Sequence, residues 1–188
     1  MADITDVKQG KKVVVIIPAR FKSTRFPGKP LAQIAGRPMI QWTYESVKKA
    51  SLPDRVVVAT EDARIVDAVT AFGGEAVLTS DAHDCGTDRC AEAATKLGEH
   101  FDVVCNVQGD EPLIDGAHID SAISVLLKDD TSHVGTLATP ITDAAELQNR
   151  NRVKLVMDRQ NHVLYFSRAM IPHNKQGEFQ TSCPYYRH

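Results

Sequence analysis

The chain has 188 residues, 43% of them hydrophobic and 24% charged, with a formal net charge of −2. That fits one globular domain, or one domain with an appendage, and excludes a broadly basic nucleic-acid binder. No run of about 18 apolar residues occurs, so no membrane-spanning helix is expected.

The start, MADITDVKQGKK, is polar and has no signal-peptide core. The cysteines at 85, 90, 105 and 183 form no CxxC pair and no metal spacing, and the histidines form no HExxH motif. The expected compartment is therefore the reducing cytoplasm.

In chain order, the β-branched run Val13 to Ile17 predicts a buried strand. Pro38 suits the first position of a helix, and Met39, Ile40, Thr43, Tyr44 and Val47 follow at helical spacing. RVVVAT (55–60) predicts a second strand. A helix follows it, with Asp62 as N-cap, Ile65, Val66, Val69 and Phe72 on its apolar face, and Gly73–Gly74 as its stop. EAVLT (75–79) is a short strand. The loop SDAHDCGTDR leads into a helix through about Leu97, with Thr87 as N-cap candidate. DVVCNV (102–107) is the next strand, and Ile119, Ile123, Leu126 and Leu127 mark another helix. HVGTLAT (133–139) reads as a strand. VKLVMD and VLYFS flank RQNH as a hairpin, and the closing PYYRH is expected to end as an unpaired edge.

Strands alternating with helices predict an α/β fold with a mainly parallel central sheet and helices on both faces. In such sheets ligands bind beyond the carboxyl ends of the strands, where the strand order reverses. Three loops that follow strands carry unusual chemistry. Residues 18–30 hold Arg20, Lys22, Arg25 and Lys29 on a path stiffened by Pro18, Pro27 and Pro30. Four cations in ten residues repel one another, and a polyphosphate would relieve that repulsion. The loop is neither a Walker A motif nor a GxGxxG turn. The alternative is a solvated basic loop.

The stretch NVQGDEP places Asp110 and Glu111 just past a buried strand. A carboxylate beside a polyphosphate invites Mg²⁺ between them, and Asp110 reads either as that ligand or as a turn residue. In the middle loop, Arg89 is a cation in the first turn of a helix, against the helix dipole. It calls for a ligand, a carboxylate partner, or exposure to water. His83 reads as a loop histidine and Cys85 as packing.

The segments VVVIIPARFKSTRFPGKPLAQIAGRPMI, HDCGTDRCAE, NVQGDEPLI and VLYFSRAMIP, in that order, closely resemble the 3-deoxy-manno-octulosonate cytidylyltransferases, the CMP-Kdo synthetase family. The resemblance implies a nucleotide-diphospho-sugar transferase fold of Rossmann-like type with a small β lobe. Residues 1–150 would form the nucleotide-binding core, and 151–188 the start of a sugar-binding and dimerisation lobe. It implies transfer of CMP from CTP to Kdo, with release of pyrophosphate, in lipopolysaccharide biosynthesis. Mg²⁺ would be the cofactor, and the enzyme a cytoplasmic homodimer that binds neither nucleic acid nor membrane.

By the same resemblance, Arg20, Ser23, Arg25 and Lys29 would hold the CTP phosphates, and Gly86, Thr87 and Arg89 would lie near cytosine and ribose. Asp110 would hold Mg²⁺, and Gln108, Arg168 and His188 would serve the sugar. Arg25, Lys29 and Asp110 would carry the chemistry. Relatives continue past PYYRH with a segment that supplies a second metal carboxylate. The chain is thus expected to be C-terminally shortened, with an incomplete lobe, and inactive or nearly so by itself. The alternatives are a cytidylyltransferase for a related acid sugar, of the 8-amino-Kdo or sialic acid type, and a CTP-binding fragment without catalysis.

Overall fold

The computed structural model describes residue 8 and residues 10–22, 26–173 and 185–188. The chain forms two compact units, Met1–Gly135 and Thr136–His188. No helix among the described residues is long and apolar enough to cross a membrane.

The first unit is built on four parallel strands in the order β5-β4-β1-β6. They are β1 (Val13–Pro18), β4 (Arg55–Thr60), β5 (Ala76–Leu78) and β6 (Val103–Asn106). A two-residue hairpin, β2 (Gln33–Ile34) with β3 (Arg37–Pro38), lies between β1 and the first helix. β1 is central: Val15 faces Val56 of β4 on one side and Cys105 of β6 on the other. Every residue from Val13 to Ile17 has no exposed surface, as a continuous β-branched run predicts for a strand covered on both faces.

Alternate residues of β1 enter different cores. Val13, Val15 and Ile17 pack with Ile40 and Val47 of α1 (Met39–Val47), Ile65 and Val69 of α2 (Ala63–Ala71), and Ile119, Ile123 and Leu127 of α4 (Gly116–Lys128). Val14 and Ile16 face Cys90 and Ala93 of α3 (Gly86–Lys96). The chain order explains this division. The crossovers β1-α1-β4 and β4-α2-β5 step outward in one direction, whereas β5-α3-β6 returns past β1 to its other side. Right-handed crossovers put helices of opposite travel on opposite faces. The strand order therefore reverses between β1 and β6.

Local signals explain most boundaries. The Asp62 carboxylate accepts the Arg64 amide at 3.0 Å and caps α2, and Asp115 accepts the Ala117 amide at 2.9 Å and caps α4. Two expectations are corrected. Pro38 stands at the N-cap of α1, one place before the expected position, because it still belongs to β3. Cys85, not Thr87, caps α3: its Sγ accepts the Asp88 amide at 3.4 Å, so Gly86 becomes the first helical residue.

The second unit is an antiparallel sheet, β7-β10-β8-β9. Its strands are β7 (Thr139–Pro140), β8 (Lys154–Met157), β9 (Val163–Ser167) and β10 (Tyr186–Arg187), and it includes α5 (Ala144–Gln148). The predicted 154–167 hairpin is present. The strand expected over 133–139 is reduced to its last residue plus Pro140. PYYRH is not an unpaired edge: Tyr186 and Arg187 pair with β7 on one side and β8 on the other. Tyr185, 2% exposed, anchors this strand beside Ile141 and Leu147. The pairing of β7 with β10 also brings residues 136–150 into this unit, ahead of the boundary expected at 150.

Candidate active site

The carboxyl ends of β1 and β6 open into a cleft of about 180 Å³ in the first unit, at the reversal of strand order. Pro18, Ala19, Arg20, Lys29, Gly86, Gln108 and Asp110 are among its lining residues. Its floor is made by backbone held close. The Gly109 carbonyl accepts the Thr43 hydroxyl at 3.1 Å. A Cβ on Gly109 would stand 2.8 Å from the Pro18 carbonyl oxygen, and one on Gly86 would stand 3.2 Å from the Pro18 ring.

Lys29 enters from a 3₁₀ turn, Lys29–Leu31, that follows Gly28 in the left-handed region at φ 71°. Its Nζ donates to Asp110 Oδ2 at 2.6 Å. The two side chains are 40% and 51% exposed, so this pair contributes about 0–1 kcal/mol to folding. A cation and a carboxylate held together in a cleft for so little stability are placed to meet something else. Arg20 donates to the His83 carbonyl at 2.5 Å, which ties the cationic loop to the loop before α3. Lys22 reaches Asp81 of that same loop at 3.4 Å.

The loop before α3 has its own clasp. Glu92 accepts Lys96 Nζ at 2.7 Å, the His83 ring, and the Ser80 amide at 2.9 Å. Lys96 most of all, then His83 and the Ser80 amide, lower its carboxyl from 4.5 to about 2. His83 is thus a tether, as its loop position suggests.

Of the residues expected to act, Arg20, Lys29, Gly86, Gln108 and Asp110 come together in one cleft. Ser23 and Arg25 lie outside the described residues. Thr87 is exposed on the first turn of α3 and Arg168 is exposed on the second unit. Arg168 there donates to the Arg150 carbonyl at 3.2 Å, and His188 packs edge-on to Phe166 at 5.7 Å.

Arg89 is not among the residues that line the cleft. It is 1% exposed, and its guanidinium lies 3.2 Å from Glu61 Oε2. Its partner is a carboxylate, one of the alternatives that its place against the helix dipole left open. Sequence reasoning missed Glu61, although it stands just past a buried strand, the same signal that singled out Asp110. It also missed Lys154, fully buried, whose ammonium donates to the carbonyls of Asn149, Arg152 and Arg168 at 2.9, 2.8 and 2.7 Å. Burial, with Arg168 nearby, lowers the Lys154 pKa.

Among the described residues, no three His, Cys, Asp or Glu side chains gather as a metal cage. Among the described lining residues, Asp110 is the carboxylate at the cleft. One carboxylate fits Mg²⁺, which takes its remaining ligands from phosphate oxygens and water.

Known proteins resemble this chain in sequence and fold. A cytidylyltransferase family model matches residues 14–188. The 3-deoxy-manno-octulosonate cytidylyltransferase of Geotalea daltonii is 54% identical over 161 residues, covering 86% of this chain and 63% of that protein. That of Protochlamydia amoebophila is 45% identical over 179 residues, covering 94% and 69%. A solved CMP:2-keto-3-deoxy-manno-octonic acid synthetase complexed with CTP superposes with a TM-score of 0.88 at 39% identity, over 95% of this chain and 71% of that one. The chain thus spans between 63% and 69% of the length of these two curated relatives. It belongs to the 3-deoxy-manno-octulosonate cytidylyltransferase family.

Proposed function

We propose that the cleft between β1 and β6 holds CTP, and that the protein transfers CMP from CTP to 3-deoxy-manno-octulosonate. The observation that carries this reading is the exposed Lys29–Asp110 pair, set where the strand order reverses. In the reaction the anomeric oxygen of the sugar bonds to the α-phosphorus. The α–β bridging P–O bond breaks, pyrophosphate leaves with the electron pair, and the anomeric proton passes to water.

Such a transfer asks little covalent chemistry of the protein. It asks for in-line placement and for charge neutralisation as pyrophosphate departs. Lys29 and Arg20 line the cleft as the cations for the phosphates, and the family resemblance assigns Ser23 and Arg25, which lie outside the described residues, to the same phosphates. Gly86 lets the nucleotide approach the start of α3. Gln108, beside Asp110, would orient the sugar hydroxyls. Arg168 and His188 would serve the sugar, with Arg168 suited to its carboxylate. Mg²⁺ held by Asp110 would screen the α-phosphate charge when bound. A cytoplasmic homodimer that supplies lipopolysaccharide assembly completes the reading.

The test is pyrophosphate release with CTP, Mg²⁺ and Kdo by this chain extended with a relative's C-terminal segment, beside the chain as it stands. The reading expects release that needs all three and falls when UTP replaces CTP. CTP binding without release would leave a binding fragment, and equal use of UTP would defeat the cytidylyl assignment.

A further inference from the structure

A buried anchor ties together the two loops that flank the cleft. Phe21 is gripped at three points. Its amide donates to Glu61 Oε1 at 2.9 Å, its carbonyl accepts the Gly28 amide at 2.8 Å, and its ring lies 3.5 Å beneath the Arg64 guanidinium. Gly28 closes this neck, for a Cβ there would stand 3.1 Å from the Phe21 ring. Arg64 is itself held by both oxygens of Asp62, at 2.8 and 2.6 Å.

Behind Phe21 stands the Glu61–Arg89 pair, with side chains 6% and 1% exposed. Arg89 also donates to the Thr79 hydroxyl at 2.6 Å and to the Ser80 carbonyl at 3.2 Å. Its contact with Glu61 is a charge contact without hydrogen-bond geometry. Glu61 Oε2 and Arg89 Nε have no hydrogen-bond partner among the described residues. Two buried charges thus depend on each other, and between them they hold the backbone of the cationic loop and of the loop before α3.

We propose that Glu61 and Arg89 are positioning residues. Their buried pair sets the distance between the loop carrying Arg20 and Lys29 and the loop ending at Gly86, and Arg89 itself touches no substrate. This rests on the nucleotide reading of the cleft. The ligand parts should then respond unequally. Loosening Glu61 displaces the phosphate cations through Phe21, and misplacement by a fraction of an ångström is costly in a charge-assisted site. The base side rests on Gly86, which lies against the Pro18 ring and is bonded by neither residue of the pair, and on the strand ends, so it keeps its place.

The experiment titrates pyrophosphate and cytidine separately, by ligand-observed NMR, into the wild-type chain, Glu61→Gln and Arg89→Met. The expected result is roughly tenfold weaker pyrophosphate binding in both variants, with cytidine held within about twofold. Because single variants strand a buried charge, a double variant, Glu61→Met with Arg89→Met, removes both. It should regain thermal stability without regaining pyrophosphate affinity. A merely structural pair would restore the two together, and that result overturns the proposal. Equal loss of cytidine would mean that Arg89 serves the nucleoside, which also overturns it. Unaltered variants beside a binding wild type defeat this inference alone. A wild-type chain that binds neither probe defeats the nucleotide reading with it.

Discussion

Gly109→Ala tests how tightly the cleft floor is set. Gly109 is buried and carries no unusual φ, so the penalty is steric. The new Cβ would stand 2.8 Å from the Pro18 carbonyl oxygen, with Ala19 Cβ and Ile40 Cδ1 each at 3.6 Å. Carbon and carbonyl oxygen settle at about 3.3 Å or more, so the ends of β1 and β6 must part by roughly half an ångström. The opposing atom is backbone of the central strand and cannot rotate aside. Overpacking of this kind costs about 1–3 kcal/mol. For a chain of this length each kcal/mol lowers the melting temperature by about 2–4 °C. The parted strand ends also carry Arg20 and Asp110 away from each other, so CTP affinity falls with stability. Gly86→Ala is the control, since its Cβ meets the Pro18 ring at 3.2 Å and a ring can pucker away. It should melt closer to wild type. Thermal unfolding by circular dichroism and calorimetric titration of CTP read both effects. Gly109→Ala with wild-type melting and wild-type CTP affinity would refute the claim that the strand ends fix the cleft.

Lys29→Ala removes an exposed pair, so it should cost about 1 kcal/mol or less of stability by urea unfolding, yet at least about 100-fold in any CTP-dependent pyrophosphate release. Asp110→Asn should keep the fold and lose the Mg²⁺ dependence of CTP binding, read by titration with and without the metal. Glu92 has its folded pKa lowered from 4.5 to about 2, so the stability it contributes is full above about 4.5 and is lost as pH falls toward 2. Urea midpoints at pH 5 and pH 3 should therefore differ less in Glu92→Gln than in wild type. Burial pushes Cys90 up to about 12 and Cys105 up to about 11, whereas Cys85 is exposed. Iodoacetamide on the native protein at pH 8 should mark Cys85 well before those two, as read by peptide mass spectrometry.

What was legible in the sequence was local. The run Val13–Ile17 announces a strand buried on both faces, and the acid at 62 before a 3.6-residue pattern announces α2. Three strand-end loops of odd charge pointed to the cleft, which gathers Arg20, Lys29, Gly86, Gln108 and Asp110. What escaped depends on partners distant in the chain. β10 is two residues long and becomes a strand only because β7 and β8 flank it. The Arg89 partner lies on another strand end, so its charge alone left ligand, carboxylate and solvent equally open. Lys154 reads as an ordinary strand lysine until three carbonyls converge on it. The cap of α3 is a thiol, which turn chemistry ranks below the nearby threonine.

The central claim is that the cleft between the ends of β1 and β6 binds the triphosphate of CTP. The most direct measurement is a CTP titration, with Mg²⁺, of the isotopically labelled chain followed by amide NMR. The account predicts saturable shifts at Arg20, Lys29, Gly86, Gln108 and Asp110, with weaker effects from UTP at equal concentration. Saturable shifts that spare those five residues, or none at all, would contradict it.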